Sequence, residues 1–145
     1  MIYISHRGNL NKINQKDENK PSYILNALDQ KYNVEVDIWF SNGKFYLGHD
    51  NPVYEVDLEF IKKNGLWFHA KNIEAFHELL QLNIVCFWHQ NDDVTLTSNG
   101  YIWTYPGKQL TINSICVLPE LHKIQKFNCA GICSDFIQHY FENSK

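Results

Sequence analysis

The sequence lacks a long apolar run and a large excess of charge of either sign. No apolar stretch approaches the length of about 20 residues that a transmembrane helix needs, so we expect no stable membrane insertion. The opening segment MIYISHRGNL is too short and too polar for the apolar centre of a secretory signal, and we therefore expect a cytoplasmic protein. Thirteen Lys and Arg against sixteen Asp and Glu give a formal charge of −3, which excludes the strong positive field typical of nucleic-acid binding.

Cysteine is scarce, and its pattern does not indicate a zinc site. Cys86, Cys116 and Cys133 lie in apolar stretches, where we expect them to pack as reduced core residues. Cys129 and Cys133 have C-x-x-x-C spacing, but no matching His or Cys pair stands nearby. Internal repeats, low-complexity runs and linkers are also lacking. With 145 residues, 44% of them apolar, the chain is predicted to form one domain over 1–145.

Short apolar runs alternate with helical patterns along the chain. The runs that predict strands are 1–5, 33–40, 65–70, 83–89, 100–105, 114–119 and 130–134. The helical patterns cover 22–30, 57–64 and 73–82, with Asp57 and Asn72 as candidate N-caps for the last two. This alternation implies mostly parallel strands, arranged either as an open doubly wound sheet or as a closed barrel.

Two groups of residues suited to catalysis lie near the first strands. His6-Arg7-Gly8 follows the first strand, and the C-terminal ends of parallel strands are where such proteins bind ligands. Arg suits phosphate or carboxylate, and His exchanges protons near neutral pH. In NVEVDIWF, alternation turns Glu35 and Asp37 to the same face of a strand that otherwise favours burial. A divalent cation would compensate two buried carboxylates, whereas an edge strand with solvated acids is the alternative.

A second histidine returns toward this pair. Asn42-Gly43 is a hairpin signal that brings the chain back beside the second strand, so Gly48-His49-Asp50 is expected near Glu35 and Asp37. Two histidines, an Arg and a carboxylate pair are the groups that phosphodiester cleavage requires. Four polar residues after the fourth strand, His89, Asn91, Asp92 and Asp93, are interpreted as a loop.

These motifs together resemble the glycerophosphodiester phosphodiesterase family, within the phospholipase-C-like phosphodiesterases. The family's H-R-G, E-N, E-x-D and H-D motifs are matched by HRG (6–8), EN (18–19), EVD (35–37) and GHD (48–50). His69-Ala70-Lys71 stands where the family has E-x-K, and GICSD (131–135) is similar to its closing strand. The resemblance is firm over 1–71. It implies an α/β fold of the reduced TIM-type (β/α) barrel kind, with about seven or eight mostly parallel strands and few, short helices.

The resemblance also implies roles for individual residues. His6 and His49 would be the acid–base pair, and Arg7 and Lys71 would bind the substrate phosphate. The implied metal ligands are Glu35, Asp37 and His69. The family default is Mg or Ca, but His69 replaces a carboxylate, and imidazole suits Mn or Zn better. Asp135 would close the rim of the site opposite His6.

The resemblance implies a metal-dependent enzyme acting on a small-molecule phosphodiester, either a glycerophosphodiester or a similar compound. A binding module that keeps the phosphate pocket without turnover is the alternative, suggested by the small size and by His69. An ordinary α/β domain with structural ion pairs is a third interpretation. A trimmed barrel would expose apolar surface that a second copy could cover, so a homodimer is one arrangement that the sequence allows, and the sequence does not decide the oligomeric state.

Overall fold

The secondary structure is dominated by short strands. The computed structural model describes residues 1–124 and 126–144. The strands in this part of the chain are β1 (Ile2–His6), β2 (Asn33–Ser41), β3 (Lys44–Leu47), β4 (Tyr54–Val56), β5 (Leu66–Ala70), β6 (Cys86–Trp88), β7 (Val94–Leu96), β8 (Ile102–Thr104), β9 (Ser114–Val117) and β10 (Gly131–Ser134). The helices are α1 (Pro21–Asp29), α2 (Leu58–Ile61), α3 (Ile73–Gln81), α4 (Ile137–Glu142) and a 3-10 helix (Pro119–His122).

Local sequence signals explain where the helices begin. The Asp57 carboxylate accepts a hydrogen bond from the Phe60 backbone N–H at 2.8 Å, which caps α2. The Asn72 side chain accepts one from the Ala75 N–H at 3.2 Å and caps α3. Both predicted caps are confirmed. No helix in the described ranges has the length and apolar character needed to cross a bilayer.

The strands form one open, mixed sheet. Parallel pairing joins β6, β5, β2, β1, β10, β9 and β8 in that order. Antiparallel strands extend this series, because β3 pairs with the second half of β2, β4 pairs with β3, and β7 pairs with β8. Each of the seven predicted apolar runs overlaps one of the parallel strands, and β1 and β2 each extend one residue beyond the predicted end.

The predicted reduced TIM-type barrel is wrong. A closed (β/α)₈ barrel has parallel strands that each lead into a helix, in a chain of about 250 residues. Here the sheet of ten strands stays open, and antiparallel β7 ends the parallel series beside β8. Only some strand connections contain a helix, since 89–93 and 105–113 are turns and loops. The chain is too short to supply the helices that closure of a parallel barrel requires.

The sheet is curved, and its two faces pack differently. One face packs against the helices, and the apolar cluster between them includes Val36 of β2, Ile24 of α1 and Leu79 of α3. The opposite face buries a second cluster: Ile4, Trp67, Phe87, Trp103, Ile115, Val117 and Cys133. Phe87 on β6 and Trp103 on β8 stack with ring centroids 4.4 Å apart, although these strands lie at opposite ends of the parallel series. We call this second face the concave face.

Candidate functional site

Polar residues continue the concave face beyond its apolar cluster. Side chains alternate along a strand, so the residue two positions after a buried one shares its face. By this rule Ile4 is followed by His6, Trp67 by His69, Phe87 by His89, Trp103 by Tyr105 and Cys133 by Asp135. The polar residues therefore meet at the C-terminal ends of the parallel strands, where sequence analysis expected a site.

Glu35 and Asp37 form the centre of this polar cluster. Glu35 is 3% exposed and Asp37 is 0% exposed, so neither is solvated, and the edge-strand alternative does not hold for this pair. Asp37 faces three nitrogen groups: Arg7 Nε at 2.9 Å, His69 Nδ1 at 3.1 Å and Lys71 Nζ at 3.5 Å. Glu35 Oε2 is buried and has no hydrogen-bond partner among the described residues. Asp37 Oδ1 also lacks a hydrogen-bond partner among these residues, but Arg7 and Lys71 compensate the charge of Asp37, whereas no Lys or Arg of the described residues forms an ion pair with Glu35.

The pKa values of the two carboxyl groups move in opposite directions. Burial raises the pKa of Glu35, and the charge of Asp37 raises it further. Burial also acts to raise the pKa of Asp37, but the contact with His69 and the charges of Arg7 and Lys71 outweigh burial and hold this pKa well below its usual range. Asp37 is therefore the anionic partner at neutral pH, and Glu35 is the carboxyl group that lacks a cation.

Glu35, Asp37 and His69 can hold a metal ion. Each offers a ligand atom, and these atoms all lie within 4.8 Å of one another. Nδ1 of His69 lies 3.9 Å from Glu35 Oε1 as well as 3.1 Å from Asp37 Oδ1. The unpartnered Glu35 Oε2 and the two-carboxylate, one-imidazole donor set fit a divalent cation. These are the three ligands predicted from the sequence.

His6 is held by a second carboxylate, Asp135. His6 Nδ1 lies 2.7 Å from Asp135 Oδ1, and because a carboxylate only accepts, Nδ1 is the donor. Nε2 then carries the lone pair in the neutral ring and lies 3.9 Å from Glu35 Oε2. Burial lowers the pKa of His6, but hydrogen bonding to Asp135 and the charge of Glu35 outweigh burial and raise it. This arrangement orients Nε2 of His6 toward Glu35, one of the three residues that can hold a metal ion.

Asp135 is itself fixed from two sides. Its Oδ1 accepts a hydrogen bond from Asn9 Nδ2 at 2.8 Å, and its backbone N–H donates to Glu120 Oε1 at 3.1 Å. Burial acts to raise the pKa of Asp135, yet the hydrogen bonds from His6 and Asn9 and the charges of His6 and Arg7 together outweigh burial and lower it. The carboxylate therefore stays ionised and keeps His6 oriented.

Arg7 adopts a backbone conformation that is uncommon for a non-glycine residue. Its φ is 53°, and Gly8 follows with φ 93°, so the chain turns sharply after β1. A Cβ at Gly8 would lie 2.5 Å from Cδ1 of Tyr23, so glycine is required there. The turn directs the Arg7 guanidinium back to Asp37 and to Glu18, whose Oε2 is 3.2 Å from Nη1.

Asn19 ties the loop 9–21 to the same carboxylate. Its side-chain amide donates to Asp37 Oδ2 and its carbonyl accepts from the Asp37 backbone N–H, both at 2.9 Å. Its own backbone N–H donates to the Arg7 carbonyl at 3.2 Å. The long loop after β1 is thus part of the site, and not only a connection.

His49 lies apart from the buried cluster. Its side chain is 45% exposed, and Nδ1 lies 2.7 Å from Asp50 Oδ1. The residue before it is anchored, because the Gly48 N–H donates to the Asp37 carbonyl at 3.1 Å and the Gly48 carbonyl accepts from Trp39 Nε1 at 2.7 Å. His49 and Arg7 line one cleft of about 550 Å³. The turn does bring the chain back as predicted, but His49 sits at the cleft and not against Glu35.

Sequence reasoning missed part of the site. His89, interpreted as part of a polar loop, is 5% exposed, and neither ring nitrogen has a hydrogen-bond partner among the described residues. Its ring packs on Tyr105 with centroids 3.6 Å apart. Burial lowers the pKa of His89 to about 4, so the ring is neutral at pH 7. The two-residue spacing from Phe87 and Trp103 was the signal that would have found this pair.

The geometry supports acid–base and cation chemistry at one place. His6, Arg7, Glu35, Asp37, His69 and Lys71 are joined by contacts, and His49 stands beside them at the cleft. The assigned roles stay predictions. No protein-family model, no curated protein and no solved structure matches this chain.

Proposed function

We propose that this chain is a metal-dependent phosphodiesterase with its site at the C-terminal ends of the parallel strands. One observation carries the proposal: Nε2 of His6, oriented by Asp135, lies 3.9 Å from Glu35 Oε2 in a group able to hold a cation. A proton acceptor and a cation-binding group next to each other are what metal-assisted cleavage of a phosphodiester requires.

The charges of the cluster support the presence of a divalent cation. The carboxylates are Glu18, Glu35, Asp37 and Asp135, and the permanent cations are Arg7 and Lys71. Four negative and two positive groups leave two negative charges, with the histidines left out of the count. A divalent cation on Glu35, Asp37 and His69 balances that charge, and when bound it would neutralise charge that develops on the phosphate.

The residues of the chain itself would move the proton and hold the substrate. His6 Nε2 takes a proton from the attacking hydroxyl, which belongs either to water or to an alcohol group adjacent to the phosphodiester. Asp135 stabilises the imidazolium that results. Lys71 and Arg7 supply positive charge beside the phosphate, and His49 at the cleft protonates the leaving alkoxide. The substrate class is a small phosphodiester, with glycerophosphodiesters as the family default.

A binding module is the second candidate, and the position of His49 favours it. The His49 side chain is 45% exposed and is paired with the exposed Asp50. His6, in contrast, is 13% exposed and is held by Asp135, so only His6 is fixed in position for proton transfer. Such a module would bind a phosphodiester at the same cleft without cleaving it.

The test is hydrolysis of bis(p-nitrophenyl) phosphate and of glycerophosphocholine by the purified chain. The protein is stripped with EDTA and then assayed with Mg²⁺, Ca²⁺, Mn²⁺ or Zn²⁺ restored. We expect turnover only with metal, and a loss of about 10²–10⁴-fold in kcat for His6→Ala, the usual contribution of a general base. His77→Ala is the matched control, because His77 is an exposed histidine on α3.

The outcomes separate the candidates. Turnover that needs metal and His6 supports the enzyme. Glycerophosphocholine binding by calorimetry without turnover with any metal supports the binding module instead. Neither binding nor turnover would contradict both and leave the ion pairs with a structural role only.

A further inference from the structure

The ring of His69 is fixed in a form suited to binding a metal. Its Nε2 lies 3.1 Å from the backbone carbonyl oxygen of His89, and a carbonyl only accepts hydrogen bonds, so Nε2 carries the proton. In the neutral ring the lone pair therefore sits on Nδ1, the atom that faces Glu35 and Asp37. Metal-binding histidines commonly donate their other ring N–H to a backbone carbonyl in this way.

Neighbouring rings restrict how His69 can turn. Phe87 stacks on it almost in parallel, with centroids 5.1 Å apart and an interplanar angle of 9°. The carbonyl that receives its proton belongs to His89, whose own ring is buried against Tyr105. The imidazole plane and its tautomer are both determined by packed neighbours, so little ordering remains to be done when an ion binds.

The two carboxylates offer less negative charge than their number implies. Asp37 already faces Arg7 Nε at 2.9 Å through Oδ2 and Lys71 Nζ at 3.5 Å through Oδ1. Ca²⁺ takes six to eight oxygen ligands, and Mg²⁺ is bound through oxygens and retained waters, so both depend on anionic oxygen. Imidazole instead favours the first-row transition metals, whose affinity for nitrogen ligands rises from Mn²⁺ toward Cu²⁺ and stays high at Zn²⁺.

We infer that the centre formed by Glu35, Asp37 and His69 is selective for a transition-metal ion, of the Mn²⁺ or Zn²⁺ kind, over Mg²⁺ and Ca²⁺, with His69 Nδ1 as the ligand that sets the preference. The inference rests on the cation centre of the proposed function. It goes beyond that proposal because it names the class of ion and the residue that selects it.

The test measures binding directly and does not depend on activity. Mn²⁺ is titrated into the EDTA-stripped chain of 145 residues, and binding is followed by the loss of the electron paramagnetic resonance signal of the free ion. Mg²⁺, Ca²⁺ and Zn²⁺ then compete for the bound Mn²⁺. We expect Mn²⁺ to bind at least about tenfold more tightly than Mg²⁺, and Zn²⁺ to displace it. Pulsed measurements on bound Mn²⁺ should show coupling to an imidazole nitrogen.

Two variants assign the effect to His69. His69→Glu supplies a third carboxylate and is expected to bring the Mn²⁺ and Mg²⁺ affinities to within a few-fold of each other. His69→Gln keeps a neutral side chain in the same place and should remove the imidazole coupling without adding charge. His77→Glu adds the same carboxylate on exposed α3 and should change neither quantity. Circular dichroism of each variant establishes that it is folded.

Failure of the inference and failure of the proposed function look different. If Mg²⁺ competes as well as Mn²⁺ in the unchanged chain, the selectivity is overturned while the cation centre stands. If imidazole coupling survives in folded His69→Gln, a histidine other than His69 binds the ion and the inference is overturned. If no ion binds to the unchanged chain at all, the cation centre itself is contradicted, and with it the metal-dependent mechanism.

Discussion

The two sides of the concave face differ in charge. On the side of β1, β2 and β5, the strand ends carry His6, Glu35, Asp37, His69 and Lys71, which contact one another through ion pairs. On the side of β6 and β8, the corresponding residues are a neutral His89 and Tyr105, which contact each other through their rings. Charge is therefore concentrated on strands within the parallel series, while β6 and β8 at its two ends carry an aromatic wall.

Replacing the most connected residue of the charged side should have the largest effect on stability. Asp37→Ala removes the one carboxylate that Arg7, His69 and Lys71 all contact among the described residues. Breaking a buried ion pair by removing one partner costs about 3–5 kcal/mol. We expect a loss of that size in the free energy of unfolding, measured in urea. A loss below about 1 kcal/mol would mean that these contacts are not formed in solution.

Binding of a cation should stabilise the charged side only when Glu35 is present. At a concentration of about 100 times Kd, a ligand that binds only the folded state stabilises it by about 2.7 kcal/mol. We expect Mn²⁺ to do so for the unchanged chain, and to have no effect on Glu35→Gln. Without metal, Glu35→Gln should be at least as stable as the unchanged chain, because it removes a buried carboxyl group whose Oε2 has no partner. Thermal unfolding with and without Mn²⁺ measures both quantities.

The aromatic side should tolerate the loss of its histidine. His89→Leu removes two ring nitrogens that lack hydrogen-bond partners among the described residues and keeps an apolar contact with Tyr105. Replacing an unsatisfied buried polar group by an apolar one is close to neutral or stabilising, by about 1 kcal/mol. Urea unfolding of His89→Leu beside Asp37→Ala tests this contrast. A loss for His89→Leu as large as for Asp37→Ala would show that His89 has a polar role that its ring contacts do not explain.

The smallest effect is expected at the four cysteines, which are free thiols. Cys86, Cys116 and Cys133 are buried, and burial raises the pKa of Cys116 to about 12. A thiol reagent at pH 8 should therefore react with no more than Cys129 in the folded chain, and with all four thiols in urea. Rapid reaction of more than one thiol in the folded state would indicate that local unfolding readily exposes the buried cysteines.

Strand positions could be predicted because their residues carry a local signal. The apolar runs around Val34, Phe68 and Ile132 all became strands, and the Asn42-Gly43 turn produced β3. Two of the missed strands, β4 and β7, have three residues each and expose part of their side chains, so they leave little apolar pattern. Closure of the sheet was mispredicted because the alternation of side chains along a strand determines which face a residue occupies. That pattern does not determine how many helices the chain can supply to close a barrel.

The candidate site was predictable to the extent that it follows strand ends. Glu35, Asp37 and His69 lie on adjacent parallel strands, so their proximity follows from register, with Asp37 opposite His69. Asn9 was not recognised, and Asn19 was noted only as part of the EN motif without its contact to Asp37, because both contacts depend on the path of a loop that has no periodic pattern. His49 could be placed near β2 by its turn, but its distance from Glu35 depends on loop geometry.

The position of Asn19 has a consequence for how the site stays shaped. Along one edge of β2, pairing with β1 ends at Glu35 and pairing with β3 starts at Ile38, which leaves Asp37 between two ladders. The Asn19 side-chain carbonyl accepts from the Asp37 backbone N–H in that interval, as a neighbouring strand would, while its amide nitrogen donates to the Asp37 carboxylate. The Asn19 side chain thereby covers a backbone N–H at the edge of β2 that lies between two paired stretches. It also ties the shape of the loop 9–21 to the carboxylate of Asp37.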